Sequence, residues 1–268
     1  DGTTENVISA KVVHQTPSSR WYSGSGIYRD VELIVTDAVH VSRNGTYVTT
    51  PNLATEKDGD VTVKVQTDVQ NDSSAQAAAQ IRTTVLDAEG KAVSEAVTTD
   101  VTLAANSTAE KEQTLKVNKP ALWSTENPNL YYVQTEVLVD GKVKDTYKTT
   151  YGFRYINFDA NTGFSLNGKN VKLKGVCMHH DQGALGAASE RDAVYRQVKK
   201  LKEMGCNAIR TSHNTPSSVL LEACNELGMM VMDETFDGWA FPKNGNSLQP
   251  DHQCRQQAAW CNDRRHLV

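Results

Sequence analysis

Apolar and polar residues alternate along several short segments in the first half of the chain. In residues 61–69, valines occupy positions 61, 63, 65 and 69 with mostly polar residues between them, a pattern typical of a β-strand that buries one face. Similar segments follow at residues 81–86, 96–103, 111–117, 131–139 and 146–151. Turn-forming pairs such as Asp140-Gly141 separate them. About seven short strands in roughly 110 residues predict an immunoglobulin-like β-sandwich over residues 42–152.

The residues before this sandwich have a β-like pattern as well. Residues 7–13 and 31–35 are predicted strands, and a segment rich in aromatic residues, glycine and arginine, including Trp21, lies between them. That segment is either a packed corner between strands or the border of a ligand site. Because two strands are too few for an independent core, we expect residues 1–41 to be the end of a larger β domain or to pack on the residues that follow.

The periodicity changes after Phe153. A hairpin with its turn at Asn167-Gly168 is followed by a predicted strand at residues 171–176. Next comes a helix that Ser189 caps and Gly205 ends, followed by a strand at 208–210. A second helix has Pro216 in its first position, and an apolar strand follows it at 229–233. The last strand should be buried on both faces. This order predicts three βα units of a parallel array, whereas residues 247–268 form an atypical tail.

Polar side chains cluster in the loops that follow the three parallel strands. The carboxyl ends of such strands meet at one edge of the sheet, where βα barrels place their active sites. The candidate ligand-binding residues are His180, Asp181, Arg210, His213, Asn214, Asp233, Glu234 and Trp239.

Two of these groups allow more than one interpretation. Glu234 and Asp233 could be catalytic carboxylates or could orient Arg210 by a charge-assisted pair, and we favour orientation. His179, His180 and Asp181 could bind a metal together with His213, but no spacing rule singles out a metal site.

Composition excludes several classes of function. The net charge of −4 argues against a nucleic-acid partner, and no apolar run approaches the roughly 18 residues of a membrane span. The five cysteines are scattered and include no C-x-x-C pair, which favours reduced thiols and argues against structural zinc. The first residues are typical of a loop within a domain, so the cellular localisation stays unknown.

Several separate motifs carry a resemblance to one family. Residues 207–216, with Arg210, His213 and Asn214, resemble the signature of glycoside hydrolase family 2 in its β-galactosidase branch. The motifs at 19–31, 122–131, 151–154, 167–169, 179–186 and 233–237 resemble other parts of the same family, in the same order.

The resemblance implies a multidomain β plus α/β fold, an immunoglobulin-like β-sandwich followed by an incomplete (β/α)8 barrel. Residues 1–41 would be the C-terminal strands of an incomplete jelly-roll sugar-binding domain, and residues 42–152 the sandwich. Residues 153–246 would form the first three βα units of a TIM barrel, since a whole barrel needs about 250 residues.

The family also implies hydrolysis of β-glycosides with retention of configuration by two glutamates. Both follow later barrel strands, one in an Asn-Glu pair, and no Asn-Glu pair follows residue 233 here. We therefore assign no catalytic residue to this chain and expect it to be inactive alone. By resemblance Arg210 would brace the nucleophile, and His213 and Asn214 would contact the sugar. The remaining candidates would line or support the pocket, with Trp239 as a sugar platform.

The implied partner is a carbohydrate, a terminal β-galactoside, with neither nucleic acid nor membrane, and self-association as a homo-oligomer stays open. No cofactor is expected here, although the full-length enzyme could bind a divalent or monovalent cation through later residues. The alternatives are part of a β-glucuronidase or β-mannosidase, and a non-catalytic carbohydrate-binding or scaffold β-sandwich module.

Overall fold

The computed structural model describes residue 5, residues 7–16 and residues 26–234. Its first part is a β-sandwich with one short helix, made of β1 (Val39–Thr49), α1 (Leu53–Glu56), β2 (Asp60–Asn71), β3 (Ala77–Leu86), β4 (Val97–Leu103), β5 (Ser107–Asn118), β6 (Tyr131–Val139) and β7 (Lys142–Tyr151). One sheet has the order β1-β2-β5 and the other β4-β3-β6-β7, with antiparallel neighbours. This is the immunoglobulin-like architecture expected from the sequence.

The alternation of apolar and polar residues in β2 places one face of this strand in the core of the sandwich. Val61, Val63, Val65, Thr67 and Val69 are all fully buried, and the residues that alternate with them are partly exposed. Asp140 and Gly141 both have positive φ, 51° and 72°, as the tight turn between β6 and β7 requires. Strands β2 to β7 of the sandwich therefore follow directly from the hydrophobic pattern.

Strand β1 was not predicted, and it runs across residue 41. The pairing of β1 with β2 shifts register between Val41 and Thr46, and Asn44 in this bulge has a φ of 54°. The extra residues interrupt the two-residue period, because a bulge places two residues opposite one. The alternation that identifies the other strands is therefore absent from β1.

The predicted strands at 7–13 and 31–35 are not strands in the structure. Ile8 is 94% exposed and Leu33 is 90% exposed. A strand needs a hydrogen-bonded neighbour, and the described part of the chain supplies none for these residues. The assignment of residues 1–41 to a jelly roll stays a prediction.

The second part contains a small antiparallel sheet, a parallel sheet and two main helices. Its elements are β8 (Ile156–Asp159), β9 (Gly163–Leu166), β10 (Lys169–Asn170), β11 (Gly175–Met178), a 3-10 turn (Gly183–Leu185), α2 (Arg191–Glu203), β12 (Ala208–Thr211), α3 (Ser218–Leu227) and β13 (Met230–Met232). Strands β11, β12 and β13 are parallel neighbours in that order. They form the start of a TIM barrel, with α2 and α3 packed on one face. None of the described helices is long and apolar enough to cross a membrane.

Three predicted starts of elements in this part were wrong by a few residues. Helix α2 has Glu190, not Ser189, at its N-cap. Helix α3 is capped by Ser217, whose Oγ accepts a hydrogen bond from the Leu220 N–H at 3.3 Å, so Pro216 precedes the cap. Strand β11 begins at Gly175 rather than at residue 171.

The late start of β11 has a side-chain cause. The Asn207 side chain accepts a hydrogen bond from the Lys174 N–H at 2.8 Å and donates one to the Lys172 carbonyl at 3.0 Å. These bonds satisfy the backbone where strand pairing would otherwise do so. Residues 171–174 therefore approach β12 without entering the sheet.

The expectation that the third parallel strand is buried on both faces was also wrong. In the described residues β13 pairs only with β12 and lies at the edge of the sheet, and Met232 is 54% exposed. A continuous apolar sequence is typical of a strand that is covered on both faces, whereas in the described residues α2 and α3 cover only one face of this sheet.

Trp123 joins the sandwich to the barrel part. Its side chain is 2% exposed, and its indole N–H donates to the Asn225 carbonyl in α3 at 2.9 Å. Its backbone N–H donates to the Phe153 carbonyl at 2.8 Å, and its carbonyl accepts from the Asn167 side chain at 2.9 Å. The Arg154 guanidinium lies 4.6 Å from the ring centroid. One buried residue thus contacts the sandwich, the hairpin and a barrel helix.

A second contact lies beside it. The Lys202 ammonium donates hydrogen bonds to the Thr125 carbonyl and, at 2.8 Å, to the Gly228 carbonyl at the end of α3. A Cβ at Gly228 would lie 2.5 Å from the Thr125 carbonyl oxygen, and the residue has a φ of 70°. Glycine is therefore required where α3 meets the sandwich loop.

We expect Gly152→Ala to destabilise the protein by about 1–3 kcal/mol. The added Cβ would lie 2.9 Å from the Cβ of the buried Trp123 side chain, which has no room to move away. Gly59→Ala is the matched control, because its Cβ would meet no atom closer than 3.5 Å. Urea unfolding followed by tryptophan fluorescence measures both, and equal midpoints for the two variants would contradict this role of Gly152.

Candidate functional site

One face of the parallel sheet carries the polar side chains of the site. Ile209 is buried against α2 and α3, so its neighbour Arg210 points to the opposite face. Cys177 and Met232 are the register partners of Arg210 on β11 and β13. These three side chains form a row on the sheet face that lies away from the helices, which in a closed barrel is the interior.

Arg210 and His213 share one carboxylate. The Arg210 Nε donates to Glu234 Oε1 at 2.6 Å, and its Nη2 lies 2.5 Å from the same oxygen. The other oxygen, Oε2, lies 2.6 Å from His213 Nδ1. Residues from the ends of two neighbouring strands are thus joined by charge-assisted hydrogen bonds. This contact matches the interpretation that Glu234 orients Arg210.

The distances assign a tautomer to His213. Its Nδ1 is 2.6 Å from the Glu234 carboxylate and 3.3 Å from Arg210 Nη2. A carboxylate only accepts and a guanidinium only donates, so the shorter distance places a proton on Nδ1. In the neutral ring Nε2 is then the acceptor nitrogen.

The Thr211 hydroxyl contacts both acidic residues that end the sheet, Asp233 through its carboxylate and Glu234 through its backbone. Its Oγ1 accepts from the Glu234 N–H at 2.9 Å and donates to Asp233 Oδ1 at 3.3 Å. Thr211 is 3% exposed, so both bonds are shielded from solvent. The position of Glu234 beside Arg210 therefore depends on a hydroxyl that carries no charge of its own.

The loop after β11 brings two histidines to the same end of the sheet. The His179 ring lies edge-on to the His213 ring, with centroids 5.6 Å apart, and a small cavity under the loop is lined by His179, His180 and Thr211. Burial lowers the pKa of His180, and the positive charge of Arg29 lowers it further. His180 is therefore biased towards the neutral imidazole, which can both donate and accept a hydrogen bond.

Two other predicted residues lie in the same loops without joining this network. Asp181 is exposed, and its Oδ1 accepts from the Gly183 N–H at 3.0 Å, which shapes its own loop. Asn214 is exposed immediately after His213. Trp239 lies outside the described residues.

Two residues next to the site were not among the candidates. Thr211 lies inside the signature stretch, but the sequence does not indicate that its hydroxyl would contact the Asp233 carboxylate and the Glu234 N–H. Cys177 is exposed and accepts a hydrogen bond from Arg210 Nη1 at 3.4 Å. Its position on β11, opposite Arg210, became visible only with the register of the sheet.

The described residues contain no group of three His, Cys, Asp or Glu side chains close enough together to hold a metal ion. The alternative of a metal site at His179, His180, Asp181 and His213 therefore finds no support there. What the arrangement can do is hydrogen-bond hydroxyl groups and pair with a further carboxylate, because it combines a guanidinium, imidazoles and carboxylates at one edge.

Cysteine reactivity provides a test of this geometry. The Arg210 hydrogen bond holds the pKa of the Cys177 thiol below its usual value, whereas burial raises the pKa of Cys224 to about 12. We expect iodoacetamide to alkylate Cys177 at least about tenfold faster than Cys224 at pH 7.5. Arg210→Met should slow the reaction of Cys177.

The matched control for this experiment is Arg82→Met. Arg82 pairs with Glu136 at 2.8 Å on the sandwich and should leave both rates unchanged. Peptide mass spectrometry measures the rates. A Cys177 rate that is insensitive to Arg210→Met would show that the guanidinium does not act on this thiol.

Comparison with known proteins places this geometry in a family. The family model described as glycosyl hydrolases family 2 matches residues 39–154, and the model of the TIM barrel domain of the same family matches residues 160–262. A β-galactosidase of Bacteroides ovatus is 40% identical over 242 residues, which cover 90% of this chain and 28% of that protein. A β-glucuronidase of Bacteroides fragilis is 30% identical over 215 residues, covering 78% of this chain and 30% of that protein.

A solved structure shows the same fold. The crystal structure of a glycosyl hydrolase family 2 member from Bacteroides cellulosilyticus aligns with a TM-score of 0.84 and 38% identity, covering 93% of this chain and 32% of that one. The chain thus spans less than a third of the length of these relatives. With matches along both the sandwich and the barrel part, the chain belongs to glycosyl hydrolase family 2.

Proposed function

We propose that the whole protein of which this chain is a part is a retaining β-glycosidase that hydrolyses terminal β-galactosides. The chain would supply one wall of the sugar site. The observation that carries this proposal is the shared contact of Arg210 and His213 with Glu234 at the carboxyl ends of neighbouring strands. Barrel enzymes assemble their active sites at this edge.

Each side chain has a role that its contacts support. Arg210 is only partly engaged by Glu234, and its Nη1 points to the exposed Cys177 thiol. It can therefore brace a second carboxylate, that of the nucleophile, with a charge-assisted bond. His213 and the exposed Asn214 would hydrogen-bond sugar hydroxyls.

The remaining candidates would complete this wall. Asp233 and Glu234 are held by Thr211 and would keep Arg210 and His213 in place. His180 and Asp181 would border the pocket from the first loop, and Trp239 would serve as a sugar platform.

Bond cleavage needs two further carboxylates. A retaining glycosidase uses a nucleophile and a general acid/base about 5–5.5 Å apart. The sequence after β13 contains no Asn-Glu pair of the kind expected for the acid/base, and Glu234 is engaged with Arg210 and His213. The 268-residue chain alone is therefore not expected to turn over substrate.

A neutral sugar fits the charges of the described wall. Glu234 pairs with Arg210 at 2.5 Å, and the carboxylate of the nucleophile would occupy the remaining donors of Arg210, which leaves less attraction for the carboxylate of a glucuronide. The resemblance of the 179–186 loop to the β-galactosidase branch supports the same choice. Because the Bacteroides fragilis relative is a β-glucuronidase, the glucuronide is the comparison substrate.

The test measures hydrolysis of p-nitrophenyl β-galactoside and β-glucuronide by the full-length gene product and by the 268-residue chain. We expect the full-length protein to prefer the galactoside and to release β-galactose first by NMR. Arg210→Met should lower kcat/KM by about 100-fold or more. The short chain should show no turnover.

Arg82→Met on the sandwich is again the control and should leave kcat/KM unchanged. Preference for the glucuronide would overturn the choice of sugar, and inversion of configuration would overturn the retaining mechanism. Turnover by the short chain would disprove the expectation that its catalysis is absent.

We also expect the 268-residue chain to self-associate through β13. In the described residues one edge of β13 pairs with no other strand, and Met232 on it is 54% exposed, an arrangement that promotes pairing with another chain. Met232→Lys should weaken concentration-dependent association in size-exclusion chromatography. Met204→Lys is the matched control, since Met204 is 74% exposed on the outside of the barrel part. A monomer whose residues 230–232 are protected from hydrogen exchange would contradict this expectation.

A further inference from the structure

A short segment that precedes the sandwich lies against the loops of the barrel part. The Arg29 Nη2 donates to the Thr215 carbonyl at 2.6 Å, across 186 positions of sequence. The Tyr28 carbonyl accepts from the Ser189 N–H at 2.9 Å, and the Tyr28 ring lies 5.3 Å from the His180 ring. Two consecutive residues therefore contact two different loops of the site.

These two loops are the ones that carry the histidines of the proposed sugar wall. Thr215 follows His213 by two residues, and Ser189 ends the loop that begins with His179 and His180. The loops are joined to the sheet by the Ser212 N–H, which donates to the Met178 carbonyl at 2.9 Å. Away from the sheet, Tyr28 and Arg29 provide a second connection between them.

The two side chains also restrict each other. The Arg29 guanidinium carbon lies 5.2 Å from the Tyr28 ring centroid, a cation–π distance. A guanidinium that stacks on a ring and donates to a carbonyl has few remaining rotamers. The pair is thus a rigid contact between the loops, although Tyr28 is 39% exposed.

We propose that Tyr28 and Arg29 are positioning residues of the sugar site, which hold the His180 loop and the His213 loop at a set distance from each other. This inference rests on the proposed function only in that these loops form the sugar wall. It assigns part of the site to a segment that lies outside both the sandwich and the barrel.

The charges around His180 fit this role. Burial, to which the Tyr28 ring contributes, lowers the pKa of His180 most, followed by the positive charge of Arg29 and by His179. A neutral imidazole can accept a hydrogen bond from a sugar hydroxyl, whereas a protonated one can only donate. Removal of Arg29 should therefore change the hydrogen-bonding character of the site as well as its geometry.

The sign of the pH dependence follows from this shift. The folded state disfavours protonation of His180, so the neutral ring makes its full contribution to folding stability above the unfolded pKa of about 6.5. That contribution decreases as the pH falls below this value. A variant without the charge of Arg29 should lose less stability on acidification.

The experiment uses the 268-residue chain, with NMR titration of His180 and hydrogen exchange of the Ser189 amide as readouts. Arg29→Met should raise the pKa of His180 towards its usual value and speed Ser189 exchange by about tenfold. Arg29→Lys retains the charge and a donor, so it should restore the low pKa. Tyr28→Phe keeps the ring and should resemble the wild type, whereas Tyr28→Leu should raise the pKa.

Two measurements make the result decisive. Arg82→Met, on the sandwich surface, should alter neither readout, and slow exchange of residues 61–69 shows that each variant is folded. The proposal would be overturned if the folded Arg29→Met variant kept the wild-type pKa of His180 and the wild-type exchange rate of the Ser189 amide. Because neither readout involves a sugar, failure here is distinct from failure of the galactosidase assay, which tests the function itself.

Discussion

The burial of Trp123 is the contact on which the rest of the arrangement depends. Its backbone N–H donates to the Phe153 carbonyl at the end of the sandwich, and its indole N–H donates to the Asn225 carbonyl in α3. Arg154 stacks on the ring, and burial lowers the pKa of this guanidinium, so the aromatic face replaces part of its lost hydration. Helix α3 leads directly into β13 and hence to Glu234. The sandwich thereby fixes where a site carboxylate lies.

The site itself is a set of polar groups that satisfy one another at an open sheet edge. Arg210 donates to Glu234 and Cys177, His213 contacts the same Glu234 carboxylate, and Thr211 holds the backbone of Glu234. Such a network is pre-organised before any ligand arrives, which reduces the ordering required on binding. The same groups would be poorly placed if the register of β12 and β13 shifted by one residue, because alternate residues face opposite sides of a sheet.

The segment before the sandwich behaves in two different ways. Ile8 and Leu33 are almost fully exposed, as expected of apolar side chains whose packing partners are absent from the described residues. Tyr28 and Arg29, by contrast, contact the barrel loops through a ring and a guanidinium. Specific polar and aromatic contacts can hold a short segment in place where strand pairing is not available.

The sequence by itself determined six of the seven sandwich strands, the βα order and the strand ends at which Arg210, His213 and Glu234 lie, because local periodicity records which face of an element is buried. Tertiary structure alone decided that Glu234 rather than Asp233 pairs with Arg210, that Thr211 contacts the Asp233 carboxylate and the Glu234 N–H, and that Ser217 rather than Pro216 caps α3. It also decided that residues 7–13 and 31–35 pair with no strand among the described residues. These features depend on which atoms meet across long separations in sequence, and no local pattern encodes such distances.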